Sequence, residues 1–147
     1  MRAIRKILLA MVTLLLFTQC GSTECSVVMQ DVDIDGWTEE ATLTYTNKQT
    51  ENNYDLSVVL HVNRRFKAKQ IELDIMTMTP DSLRYSEQVT LPVNLTWDDR
   101  TTVTTDLLLP YRQDVTLRCK GEYTMVITPQ QSVVGVEAAG INFQMKR

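Results

Sequence analysis

The sequence predicts an all-β fold: an antiparallel β-sandwich of seven to eight short strands, Ig-like or jelly-roll-like. Three observations predict it. Apolar and polar residues alternate in segment after segment from Ala41 onward. Turn residues close those segments at short intervals. No window beyond residue 20 sustains an apolar period of 3.6, so helices have no amphipathic face to build on.

The elements follow in order. Ala41, Leu43 and Tyr45 alternate with Thr42, Thr44 and Thr46, a half-buried strand, and the polar residues 47–53 form a loop. Tyr54, Leu56, Val58, Leu60 and Val62 then alternate with Asp55, Ser57, His61 and Asn63, with Val59 the one breach. Residues 63–69 are basic and polar around Phe66 and read as a loop. Ile71, Leu73 and Ile75 make the next strand, which the Pro80-Asp81 turn ends. Tyr85 to Leu91 is a weaker strand closed by Pro92, and 94–100 is a loop holding Trp97-Asp98-Asp99. The threonine-rich 101–109 ends at Pro110. Val115, Leu117 and Cys119 suggest a short strand before Gly121, and Tyr123, Met125 and Ile127 another before Pro129. The final segment, 133–145, carries Gly135 and Gly140, which mark a bulge or a close approach of backbones.

The N-terminus reads differently. Arg2, Arg5 and Lys6 precede an apolar run from Ile7 to Phe17, broken only by Thr13, and Cys20 follows closely. This is the pattern of a bacterial secretory signal. Eleven helical residues span about 16 Å, far short of the ~30 Å hydrocarbon core, so the run is not a stable membrane span. The cysteine directly after it predicts a lipoprotein signal over 1–19 with acylation at Cys20, although Gln19 is an unusual residue before the cleaved bond. Residues 20–36, polar and acidic with Gly21 and Gly36, are expected to be the lipidated N-terminus and tether, and 37–147 the sandwich domain.

Cleavage before Cys20 removes 19 of 147 residues and leaves 128, enough for one compact domain. The signal holds three of the fifteen basic residues and none of the eighteen acidic ones, so twelve face eighteen and the mature charge is −6. That sign excludes electrostatic attraction to nucleic acid or to anionic lipid. Cys25 and Cys119 remain. A bridge would close a loop of about ninety residues, worth ~4–5 kcal/mol in the chain-entropy model. A loose tether around Cys25 argues against it, and Cys119 is expected to fill a small apolar site in a strand.

Four features carry candidate chemistry. Asp31, Asp33 and Asp35 before Gly36 begin like a calcium loop, because alternate carboxylates can converge on a hard cation. The twelfth position is Thr42 where a bidentate glutamate belongs, and no helical pattern flanks the segment, so an acidic solvated loop is the plainer reading. His61 is the sole histidine and has no cysteine at ligand spacing. No nucleophile elbow, phosphate loop or paired catalytic carboxylate is marked by its context, so no catalytic residue and no cofactor are expected. Trp37 and the trio Trp97, Asp98 and Asp99 suit a sugar, with an apolar ring to lie on and acceptors for hydroxyls. Trp37 is also well placed to cap the core, which leaves Trp97, Asp98 and Asp99 as the glycan or partner contact. The basic run Arg64, Arg65, Lys67 and Lys69 reads as a solvated loop able to face an acidic partner.

The order of features resembles the gliding-motility-associated lipoproteins of the GldH type from Bacteroidetes. The resemblance rests on the signal ending at Cys20, Gly36-Trp37, Tyr54-Asp55-Leu56 with Val58 and Leu60, Asn63-Arg64, the strand around Ile71 to Ile75, and Pro80-Asp81. It continues through Asp114-Val115 with Leu117, Gly121-Glu122-Tyr123 with Val126-Ile127, Gly135-Val136 and Gly140-Ile141. It departs at 94–100, where the family carries glycines and this chain has none, and at a shortened 128–134. The resemblance implies a non-enzymatic outer-membrane lipoprotein, an accessory or structural part of a motility or secretion-linked envelope complex with protein partners. The scarcity of acidic residues just after Cys20 favours the periplasmic face. Asp81-Ser82-Leu83 fits a short O-glycosylation pattern of secreted proteins in that phylum, with Ser82 as acceptor. The alternative from another class is a glycan-binding surface lipoprotein.

Overall fold

The computed structural model describes residues 25–97 and 103–146. Within them the chain forms eight strands: β1 (Cys25–Asp31), β2 (Ala41–Asn47), β3 (Asn53–Asn63), β4 (Gln70–Met78), β5 (Arg84–Pro92), β6 (Thr104–Thr116), β7 (Gly121–Pro129) and β8 (Val136–Lys146). They make two antiparallel four-stranded sheets, ordered β1-β8-β3-β6 and β2-β7-β4-β5. Only β4 and β5 form a hairpin within one sheet, and the other connections cross between sheets. Eight strands in this order make a double-sheet jelly roll, which decides between the two sandwich types the sequence leaves open.

The alternation in the sequence is the alternation of faces. Val58, Leu60 and Val62 of β3, Ile71, Leu73 and Ile75 of β4, Ile127 of β7 and Ile141 of β8 are buried between the sheets. Each such side chain contributes ~1.5–3 kcal/mol through burial. Trp37 closes one end of the core. It is 1% exposed, pairs backbone to backbone with Val133, and donates its Nε1–H to the Glu39 carbonyl at 2.7 Å. Phe66, on the loop after β3, is also fully buried. Its backbone leaves no room at Gly135, which has φ +86° and where a Cβ would lie 2.4 Å from the Phe66 nitrogen.

Two expectations are corrected. Residues 25–31 are not tether but the edge strand β1, paired with β8 from Cys25↔Gln144 to Asp31↔Ala138, so the sandwich already includes Cys25. Only Val28 turns toward the core, and the strand is held by its backbone ladder, which leaves no apolar alternation to read. Pro110 does not end a strand either. β6 runs through it to Thr116, and there is no separate strand over 115–119. Since β6 is a sheet edge, the missing Pro110 N–H removes no ladder partner on a second side. Cys25 and Cys119 are both free thiols, and Cys25 donates its Sγ–H to Asn142 Oδ1 at 2.8 Å.

Candidate functional site

The two long seams of the sandwich differ. On the β1/β2 side, the Gln30 side chain crosses to accept the Thr42 N–H at 2.9 Å. Further inside, Tyr45 stacks on Phe143 with ring centroids 3.9 Å apart. On the β5/β6 side the sheets gape toward the end that carries the β4–β5 turn and leave a groove of about 610 Å³. Its floor includes Leu56, Leu117, Met125 and Phe143, and its walls include Tyr85 and Tyr111.

Two local features of the chain build those walls. The inward phase of β5 runs Leu91, Val89, Glu87, Tyr85, from buried to 58% exposed, so polar character enters the core face as the sheets separate. In β6 the register against β3 slips: Pro110 pairs with Ser57, Arg112 with Leu56 and Val115 with Tyr54. A regular strand would send Tyr111 and Arg112 to opposite faces, yet both line the groove. Asp114 completes the irregularity with φ +58° and donates its N–H to Asp55 Oδ1 at 2.9 Å. At the groove's end, the buried Asn47 side chain donates to the Leu117 and Cys119 carbonyls at 3.1 and 2.9 Å, fixing the loop after β6.

A polar clamp spans the seam. The Arg112 guanidinium donates Nη2–H to Glu87 Oε2 at 2.6 Å and Nε–H to Oε1 at 3.3 Å, and the Tyr111 hydroxyl donates to Oε1 as well. Arg112 holds the Glu87 carboxyl below the ordinary carboxylate range, against a smaller opposing effect of burial. Burial first, and then Glu87, push the Tyr111 hydroxyl up to about 12. The Arg112 guanidinium also lies 5.7 Å from the Tyr111 ring centroid. The clamp's two charges satisfy each other, and beyond them the groove offers aromatic rings, hydroxyls and an apolar floor, with Asp81 and Arg118 as its remaining charged lining.

The residues singled out in the sequence lie elsewhere. Cys20, Asp98 and Asp99 fall outside the described residues. Trp97 is half-buried against the rim of the core, with the Arg64 guanidinium 5.9 Å from its ring centroid. Ser82 is exposed in the Thr79–Leu83 turn at φ +65°, with its N–H donated to the Thr79 carbonyl at 2.9 Å. The turn places it between two groove-lining residues, Asp81 and Leu83. Asp31, Asp33 and Asp35 do not converge on a metal. Asp33 accepts the Asp35 N–H at 2.9 Å, Asp35 pairs with Arg65 at 2.6 Å, and among the described residues no cluster of three such ligands forms. His61 sits on the outer face of its sheet, with Nδ1 2.6 Å from Asp106 and Nε2 3.7 Å from Glu137. The groove itself was missed, because β5 and β6 meet only in three dimensions. The available signal was Glu87, a charge at an inward-phase position of a strand.

No family model matches the chain, and no curated protein matches it. Among solved structures, a carbohydrate-binding module specific for non-crystalline cellulose is similar, with TM-score 0.42 and 11% identity over 81% of this chain and 73% of that one.

Proposed function

We propose that this chain is a non-enzymatic β-sandwich, anchored by acylation at Cys20 to the periplasmic face of the outer membrane. It serves a motility or secretion-linked envelope complex, as the resemblance to GldH-type lipoproteins implies. The observation that carries a binding role over catalysis is the groove between β5 and β6. Two of its four charged lining residues, Glu87 and Arg112, neutralise each other, its floor is apolar, and the sole histidine lies on the outer face of a sheet. The segments behind the resemblance also coincide with positions this sandwich depends on: Trp37 closing the core, Gly135 against Phe66, and Gly140 against β1.

Crosslinking in the native host, with an affinity tag after Arg147, tests the reading. Motility or secretion components should co-purify, and Cys20→Ala should abolish both acyl labelling and that recovery. Recovery of glycan-import proteins, or of none, would overturn it. A second reading, a glycan-binding surface lipoprotein, is favoured by the amphipathic rings of Tyr85 and Tyr111. Calorimetry against a broad glycan panel decides it: binding lost in Tyr85→Ala supports it, and silence across the panel removes it.

A further inference from the structure

A jelly roll has four sheet edges, and in this one they are unequally defended. β1 and β2 face each other across the sealed seam, where the Gln30 side chain occupies the Thr42 N–H. β6 is interrupted by Pro110 and by two slips in its register. Such devices keep an edge from pairing with foreign strands. β5 has neither an internal proline nor a register slip, and of its two charges Glu87 is already paired with Arg112 while Arg84 stands at its first position. It pairs with β4 through nine consecutive positions without a slip, from Gln70↔Pro92 to Met78↔Arg84, and its only proline is the last residue. Its other side offers an unbroken row of backbone donors and acceptors beside the groove.

The groove side of that edge is equally suggestive. Leu83 and Tyr85, two residues apart, are 51% and 58% exposed and both line the groove. Large apolar side chains left in solvent at such a spacing suit alternate side chains of an extended segment. Glu87 and Arg112 already neutralise one another, which leaves Asp81 and Arg118 as the other charged residues of the lining and the surface around Leu83 and Tyr85 apolar. On the opposite face β5 presents Ser86, Gln88 and Thr90, which tolerate most neighbours.

Resting on the reading of the chain as a partner-binding envelope module, we infer that β5 accepts an added strand from a protein partner. That strand is an extended segment whose alternate side chains present apolar surface to Leu83 and Tyr85 in the groove. Its backbone pairs with the free edge of β5, which supplies affinity, and the groove supplies the choice of sequence.

The test places photoreactive benzoylphenylalanine at Leu83 or at Tyr85 of the full-length protein in native cells. Adducts should map to one stretch of one partner, with the two probes marking positions two residues apart. A synthetic peptide of that stretch, added to the purified protein, should slow amide exchange along β5. Its affinity should fall at least tenfold in Tyr85→Glu and Leu83→Glu and stay unchanged in Leu108→Glu, an exposed site on the outer face of the other sheet. Adducts only with a second copy of this chain, adducts only with glycan, no adducts, or a peptide that binds without protecting β5 would each overturn the inference. Recovery of motility components by the tagged protein, together with blank probes at both positions, leaves the envelope role standing and removes this groove from it.

Discussion

Replacing Gly140 by alanine should release β1 from the sandwich without unfolding the rest. A Cβ at this position would lie 2.1 Å from the Val28 carbonyl oxygen and 2.9 Å from the Met29 Cα, both backbone atoms of β1. Neither can swing aside as a side-chain tip could. How β1 responds depends on how firmly it is held. Ordering its seven residues costs about 7–14 kcal/mol in backbone entropy. Its ladder to β8 returns about 6–7 kcal/mol net. Burial of Val28, with parts of Val27 and Met29, adds about 3–4 kcal/mol. These contributions hold the strand by no more than about 4 kcal/mol, and an overpacked methyl costs ~1–3 kcal/mol, so the strand gives way before the core does. Native-state hydrogen exchange should show the amides of residues 26–30 losing protection while those of β3 and β4 keep theirs. The melting temperature should fall by no more than about 18 °C, since the cost is at most ~3 kcal/mol and 1 kcal/mol shifts a domain of this size by roughly 3–6 °C. Unchanged protection of β1 together with an unchanged melting temperature would refute the reasoning. Collapse of the whole domain would refute it in the other direction, by showing β1 to be integral to the core.

Three further outcomes are expected. Trp37→Ala, which empties the closed end of the core, should destabilise by ~3–5 kcal/mol in denaturant melts. The clamp should leave two marks on the pH profile. Glu87 titrates below its ordinary range, so its contribution is present at neutral pH and is lost as pH falls through that depressed pKa. Tyr111 titrates at about 12, so stability should decline between the ordinary tyrosine range and that value, where the unfolded chain has already lost its proton. Near-UV absorbance of tyrosinate should show the highest step disappearing in Tyr111→Phe, and Glu87→Gln should lower that step. Ser82→Gly should stabilise by a few tenths of a kcal/mol to about 1 kcal/mol by relieving φ +65°, measured as a small rise in melting temperature.

Strands that bury one face declare themselves in the sequence. β2, β3, β4 and β7 were legible because Leu43, Leu60, Leu73 and Ile127 alternate with polar neighbours and go into the core. β1 was not, since its ladder engages backbone atoms that every residue has, and Val27 and Met29 stay exposed. Pro110 was misread because a proline's penalty depends on whether its strand has one neighbour or two, which is a property of the sheet. The groove was hidden for a related reason. Tyr85 and Glu87 stand more than twenty residues before Tyr111 and Arg112, and it is the bulge in β6 that turns both of the latter to one side. Trp97 stands beside two carboxylates in the sequence, and its described contacts are with the core rim and Arg64.

In a chain acylated at Cys20, the position of β1 would set the height of the domain above the membrane. Four residues lie between Cys20 and Cys25, and the five steps from one Cα to the other reach at most about 18 Å when extended. Cys25 lies at the same end of the sandwich as the Thr79–Leu83 turn and the loop after β6, where the groove opens. Acylation at Cys20 would therefore suspend the domain with its groove mouth toward the lipid, a short strap's length away. Ligands approaching from the bulk would meet the closed Trp37 end first. The anchor would thus act as a filter on geometry, favouring segments that emerge from the bilayer or run along its surface over those that arrive by free diffusion.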